Sequence, residues 1–328
     1  PSAALGHKDV GRKRGSVEST SASLVPARQR RKSVARKMRR DLYRYVLLLP
    51  ALGFVLFFDY LPLPGIVVAF MDYNVFKGFS SRWVGLTHFA DIFRLPMFSQ
   101  AIVNTLLVSL LLLAFAFPVP VLFALLLNEV RPGLFKRLVQ SASYLPHFLS
   151  WISVIGIVHV LYGLHGPIND LKVALLGGER IMILAQQGFF LPNVVLLSIW
   201  KSFGWSSIIY LAALTAIDPA LYEAAAIDGA SRWQRMRHIS APGLMPTIII
   251  LLILQFGGLF AANFELIYGL QNPYISFEVI PTVVFKHGIQ QGNYSMATAI
   301  GFFQGVVAFV LIAVANRIAG LVSEVSIW

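Results

Sequence analysis

The sequence predicts an all-α integral membrane protein with six transmembrane helices and both termini on the cytoplasmic face. Of its 328 residues 57% are hydrophobic and only 13% are charged, far from the balance of a soluble domain. Six apolar runs are long enough to cross a bilayer, at about 20 residues per crossing. The cations then set the orientation: twenty of the twenty-seven Lys and Arg fall in segments that the crossings place on one side, and six on the other, as the positive-inside rule requires.

The first element in chain order is a basic tail over 1–42. Residues 1–44 hold thirteen Lys and Arg against Asp9, Glu18 and Asp41, so most of the net charge of +12 sits here. Rich in Ser, Ala and Arg and lacking hydrophobic periodicity, the tail is expected to be disordered and cytoplasmic. Arg28 to Arg44 suit anionic lipid rather than nucleic acid. The membrane domain follows over 43–328, with spans expected near 45–71, 100–127, 147–163, 189–215, 244–268 and 296–316. The first contains Asp59, Pro62 and Pro64 and is expected to bend at the prolines. The third is short for a bilayer.

Between the fourth and fifth spans lies a polar loop, 217–243, that reads as a helix-turn-helix. Asp218 followed by Pro219 is an N-cap and first-turn pair. About ten helical residues should follow and stop at Gly229, which tolerates the left-handed conformation past a helix end. Ser231 then caps a second helix. Ala224 and Ala225 keep the first helix thin enough to enter another protein's groove, and Glu223 offers a charge to a basic partner. A lipid-seeking helix would carry bulky apolar residues instead.

Lys201 falls near the centre of the fourth span, in Trp200-Lys201-Ser202-Phe203-Gly204-Trp205. A lysine at that depth costs about 2.5–3.5 kcal/mol on insertion scales, so it is expected to face a partner carboxylate or a watery cavity. The fifth span carries Gln255, Asn263, Phe264 and Glu265. Two readings follow: a buried Lys201–Glu265 pair, or a cavity wall that touches cargo. Trp200, Trp205 and Phe264 add aromatic faces of the kind sugars stack on.

No catalytic constellation emerges. The chain has no cysteine, its seven histidines show no metal-ligand spacing, and no phosphate-binding Gly-x-x-x-x-Gly-Lys-Ser/Thr loop occurs. The expectation is no enzyme activity, no metal and no bound cofactor, with any energy supplied elsewhere.

Glu223, Ala224, Ala225, Gly229, Ile239 and Pro242 together resemble the Glu-Ala-Ala loop of permease subunits in binding-protein-dependent ATP-binding-cassette importers, with Ala241 where the family usually has Leu, and the resemblance implies that these residues with Ala230 and Arg232 couple to an ATPase. Further stretches resemble the polysaccharide and oligosaccharide branch of these permeases, and within it the permeases of bacterial alginate importers. They are Tyr210 to Leu214, Asn263-Phe264-Glu265, Leu270-Gln271-Asn272-Pro273, Gly288 to Gly292, Tyr294 to Ala299, Ala315-Asn316-Arg317 and Ser326-Ile327-Trp328. The resemblance implies a type I importer permease in a bacterial inner membrane. A second homologous permease would complete the pore, two ATPase subunits would bind ATP and Mg, and an extracytoplasmic binding protein would deliver a poly- or oligosaccharide. Glu223 to Gly229 would be the coupling helix. Gln271, Asn272, Gln290 and Asn293 would be contacts for the binding protein. The alternative, an ion-coupled secondary transporter, leaves the loop 217–243 unexplained.

Overall fold

The computed structural model describes residues 42–259 and 261–322. The basic tail expected over 1–42 lies, but for Leu42, outside the described residues, as does Ser326-Ile327-Trp328. The chain forms two units divided after Pro64. In the first, Leu42–Val55 is α-helical and Leu56–Tyr60, with Asp59, continues it as a π-turn closed by Leu61 N–H to the Leu56 carbonyl at 2.9 Å. Pro62 follows at once, and the chain tightens into a 3-10 helix over Leu63–Phe70. The change of pitch sits at the prolines.

Among the described residues, six helical runs are long and apolar enough to cross a membrane: Leu42–Phe70, Pro96–Glu129, Trp151–Leu176, Gln187–Thr215, Arg232–Phe256 and Tyr294–Ile318. Each overlaps one of the six expected spans. The second absorbs Pro118 and Pro120 by a π-turn over Leu112–Ala116, which re-registers the backbone where proline has no N–H to offer.

Two spans depart from expectation. The third is not one helix over 147–163. Leu134–Tyr144 is helical, Leu145–Phe148 is a 3-10 turn opened by Pro146, and Ser150 caps a new helix over Trp151–Tyr162 through its hydroxyl and the Ser153 N–H at 3.1 Å. The fourth span runs beside all of it. Gly204 lies against the Ser143 backbone, Lys201 reaches His147, and Phe190 and Val194 pack with Val154 and Val158. These contacts fix an antiparallel register in which the third crossing draws on Leu134–Tyr162 and is broken beside Lys201, the middle residue of the fourth span. That extra length is why 147–163 looks short.

The fifth span is not continuous over 244–268 either. Its helix ends at Gly257 with Gly258 as cap, and a separate helix, Phe264–Leu270, starts from Asn263, whose side chain accepts from Leu266 N–H at 2.9 Å. Two adjacent glycines lack the propensity to carry the helix on. Gln255 therefore sits on a different helix from Asn263, Phe264 and Glu265.

Non-helical backbone at membrane depth must find partners within the protein, because an unsatisfied peptide group in hydrocarbon costs about several kcal/mol. The second span supplies them. Ser109 Oγ donates to the Leu259 carbonyl in the fifth-span break, Asn104 Nδ2 donates to the Glu278 carbonyl at 2.8 Å, and Thr105 Oγ1 accepts from Ile280 N–H at 2.9 Å. Removing the hydroxyl at Ser109 should leave a buried carbonyl unmet, worth about 1–3 kcal/mol. Ser109→Ala is expected to lower the thermal midpoint of the purified chain in detergent, and Ser109→Thr to recover most of the loss.

Away from the loop 217–243, hereafter the hook, a two-stranded antiparallel hairpin pairs β1 (Met71–Asp72) with β2 (Arg82–Trp83). The Ser295 hydroxyl donates to the Met71 carbonyl at 2.6 Å and accepts from Tyr73 N–H at 2.9 Å, tying the hairpin to the start of the sixth span.

Candidate functional site

The loop 217–243 folds as its sequence indicates. Asp218 accepts from Ala220 N–H at 2.9 Å, Pro219 occupies the first helical position, and the helix runs Pro219–Ile227. It closes with Ala230 N–H on the Ala225 carbonyl at 2.9 Å, and Gly229 has φ +79°, the left-handed geometry that favours glycine. Ser231 and Gln234 form a reciprocal capping box at the start of Arg232–Arg235. A π-turn over Met236–Ser240, containing Ile239, leads through Pro242 into the fifth span. Tyr222 Oη and Ser240 Oγ, 2.9 Å apart, brace the two halves.

This bracing presents one thin edge to solvent. Glu223, Ala224 and Ala226 are exposed, Ala225 is half-buried, and Ile227 at the tip is 87% exposed. The result is a capped helix with small side chains, one exposed carboxylate and an apolar tip.

At mid-span a second constellation gathers around the breaks. Lys201 Nζ donates to the His147 carbonyl at 2.9 Å and stands 5.2 Å from the centroid of the Trp151 ring. The His147 ring stacks on Trp205 at 4.5 Å, with an interplanar angle of 1°, and Phe148 meets the same indole edge-on at 5.5 Å. The buried Lys201–Glu265 pair does not form. Glu265 is exposed on the far side of the fifth-span break and makes no ion pair among the described residues. A carbonyl freed by the broken third crossing, together with an aromatic face, takes the place of the carboxylate.

Beside this cluster a cavity of about 510 Å³ opens between the second, fourth and fifth spans. Trp205, Ser202, Ser206 and Tyr210 line it from the fourth span, Gln255 and Leu251 from the fifth, and Leu112 and Pro120 from the second. The structure thus unites Trp205 and Gln255. Trp200, half-exposed, is not in the cavity wall, and Asn263 serves as a helix cap. Phe264 lines a separate groove with Phe285, Ile289 and Tyr294.

The polar side chains at 271–293 are largely engaged within the chain. Gln271 Nε2 donates to the Phe277 carbonyl at 2.5 Å, Asn272 Nδ2 to the Leu184 carbonyl at 2.7 Å and Gln290 Nε2 to Tyr268 Oη at 3.0 Å, while Asn293 Oδ1 accepts from Met296 N–H at 3.1 Å. His147, Asn104, Thr105 and Ser109 were not singled out from sequence. The readable signal for the last three was a polar row at helical spacing in an otherwise apolar span.

A family model described as "Binding-protein-dependent transport system inner membrane component" matches residues 98–324. Among curated relatives, the polygalacturonan/rhamnogalacturonan transport system permease protein YteP of Bacillus subtilis (strain 168) is 43% identical over 309 residues, covering 93% of this chain and 96% of its own. Protein LplB of the same organism is 44% identical over 286 residues, covering 86% and 90%. Among solved structures, a chain of a bacterial ABC transporter involved in the import of the acidic polysaccharide alginate superposes with a TM-score of 0.80 at 37% identity, covering 89% of this chain and 99% of that one. The same values hold for that transporter in complex with an alginate pentasaccharide-bound periplasmic protein.

Proposed function

The chain belongs to the binding-protein-dependent transport system inner membrane components, and from that premise we propose that it forms half the pore of an ATP-driven importer for an acidic poly- or oligosaccharide. A second, homologous permease supplies the other half. Two ATPase subunits bind and hydrolyse ATP with Mg on the cytoplasmic face of a bacterial inner membrane, and a binding protein delivers cargo from the other side. This chain itself catalyses no reaction.

The observation that carries the coupling part is the capped, exposed Glu223–Gly229 edge between the fourth and fifth spans. Closure of an ATPase pair around this helix moves the fifth span through Pro242 and the fourth through Asp218. Helices already broken at mid-depth give such motion a natural place to bend. Uptake of a uronate oligomer into vesicles holding the assembled complex tests this. Uptake that requires ATP and the binding protein supports it, whereas uptake driven by an ion gradient without ATP favours a secondary transporter.

For the cargo, support comes from chemistry at Lys201 and Trp205. A cation and a stacked aromatic surface beside a cavity suit a sugar ring bearing a carboxylate. The cargoes named for two similar proteins, alginate and polygalacturonan, share that uronate group. Because Lys201 also caps the His147 carbonyl, Lys201→Gln is more telling than Lys201→Ala: glutamine keeps a donor and loses the charge. Expected for Gln is a roughly tenfold loss of uronate-stimulated ATPase, about 1.4 kcal/mol, with a neutral oligosaccharide little affected. Lys201→Ala should depress both. Equal losses for the two cargoes in the Gln variant would make Lys201 purely a cap.

A further inference from the structure

At the hook-side end of the second span, two segments remote in sequence bring cations together. Arg232 Nη1 donates to the Glu129 carbonyl and Lys136 Nζ to the Val130 carbonyl, each at 3.4 Å, and Arg131 is the next residue along. Two cations thus bond the last carbonyls of one helix, with Arg131 adjacent in sequence, while the helix dipole offers only about half an elementary charge. Arg137 and Arg235 lie on the same two segments, and Arg235 Nε is buried with no hydrogen-bond partner among the described residues. None of these five cations is in an ion pair among the described residues.

Apolar side chains lie on the same two segments. Leu134, Phe135 and Leu138 are 74%, 68% and 58% exposed, and Trp233 is 65% exposed. The helix that carries the first three, Leu134–Tyr144, runs along the fourth span toward the level of Lys201. Its apolar row therefore leads from the cations at its start toward mid-span.

We propose that this cluster binds the headgroup of an anionic phospholipid in the leaflet on the hook side. Arg131, Lys136 and Arg232 take the phosphate, and an acyl chain lies along Leu134, Phe135 and Leu138. Charge-assisted bonds to a phosphate are shorter and stronger than 3.4 Å bonds to neutral carbonyls. A soluble anion would leave the apolar row unused, and an acidic protein surface would not follow it into the bilayer. Since Arg232 opens the second helix of the hook, the bound lipid fastens the hook to the end of the second span.

The test is native mass spectrometry of the full chain, taken from its membrane with its accompanying subunits and exchanged into detergent with phosphatidylglycerol or phosphatidylcholine. The wild type should retain phosphatidylglycerol about tenfold better, a difference of about 1.4 kcal/mol. Arg131→Gln with Lys136→Gln should erase the preference, while Arg131→Lys with Lys136→Arg should keep it. Lys172→Gln, a cation on the other side, controls for charge alone. Undiminished retention in the double Gln variant overturns the proposal. So does displacement of the lipid by millimolar inorganic phosphate, which marks a soluble-anion site. Loss of accompanying subunits with lipid retention unchanged overturns it too, and marks a protein-docking surface.

Discussion

Replacing Glu223 by Arg should strip the ATPase subunits from the complex and bring ATP-driven uptake to background, while the partner permease stays bound. Glu223 is exposed one turn into Pro219–Ile227 and pairs with nothing among the described residues, so the substitution costs the fold little. Arg is a good helix former, and the Asp218 and Gly229 ends of the helix are untouched. In a docking groove the same change turns an attraction into a like-charge contact, worth several kcal/mol. At 1.4 kcal/mol per tenfold, a loss of about 100-fold or more in ATPase affinity follows. Glu223→Gln, which removes the attraction without the repulsion, should fall between. The measurement is the amount of ATPase recovered per permease from gently solubilised membranes. Wild-type recovery with the Arg variant would detach the hook from energy coupling altogether.

How legible each part was follows from whether its physics is local. Crossing a bilayer depends on the transfer free energy of a contiguous run, so the six spans could be read directly. The hook was legible because caps are local too: Asp218 with Pro219, Gly229 at positive φ, and Ser231 with Gln234 act within a few residues of chain. The mid-span breaks were hidden by the same apolarity that revealed the spans. Leu145, Phe148 and Leu149 keep hydropathy high through the third-span break, as Leu259, Ala261 and Ala262 do through the fifth, yet hydropathy carries no record of backbone hydrogen bonding. The available hints were Pro146 ahead of Ser150, and Gly257-Gly258 ahead of Asn263. Of the two readings of Lys201, the pair with Glu265 fails for the next reason along. Charge alone nominates Glu265 as its partner, and the His147 carbonyl becomes a competitor only once the third crossing is known to be broken there.

Beside that broken crossing, Gly204 leaves no room for a side chain. A Cβ at Gly204 would fall inside the backbone of Ser143, with the Ser143 Cβ itself only 2.9 Å away. The obstacle is main chain, so no rotamer change relieves it. Nor can the helices slide apart freely, because Lys201 holds the His147 carbonyl nearby. Helices in lipid associate through close contact of small residues, with no hydrophobic gain to offset a lost fit. Overpacking of this kind costs about 1–3 kcal/mol and more where backbone must move. Gly204→Val is therefore expected to leave little monodisperse protein and to lower the thermal midpoint of what remains, with Gly204→Ala partway. Gly156→Val in the same bundle is the control: a Cβ there meets nothing within 4 Å, and its effect should stay within about 0.5 kcal/mol. If the two valine variants proved equally stable, Leu134–Tyr144 would not lie against the fourth span. The break would then leave mid-depth, and Lys201 would lose the carbonyl that explains it.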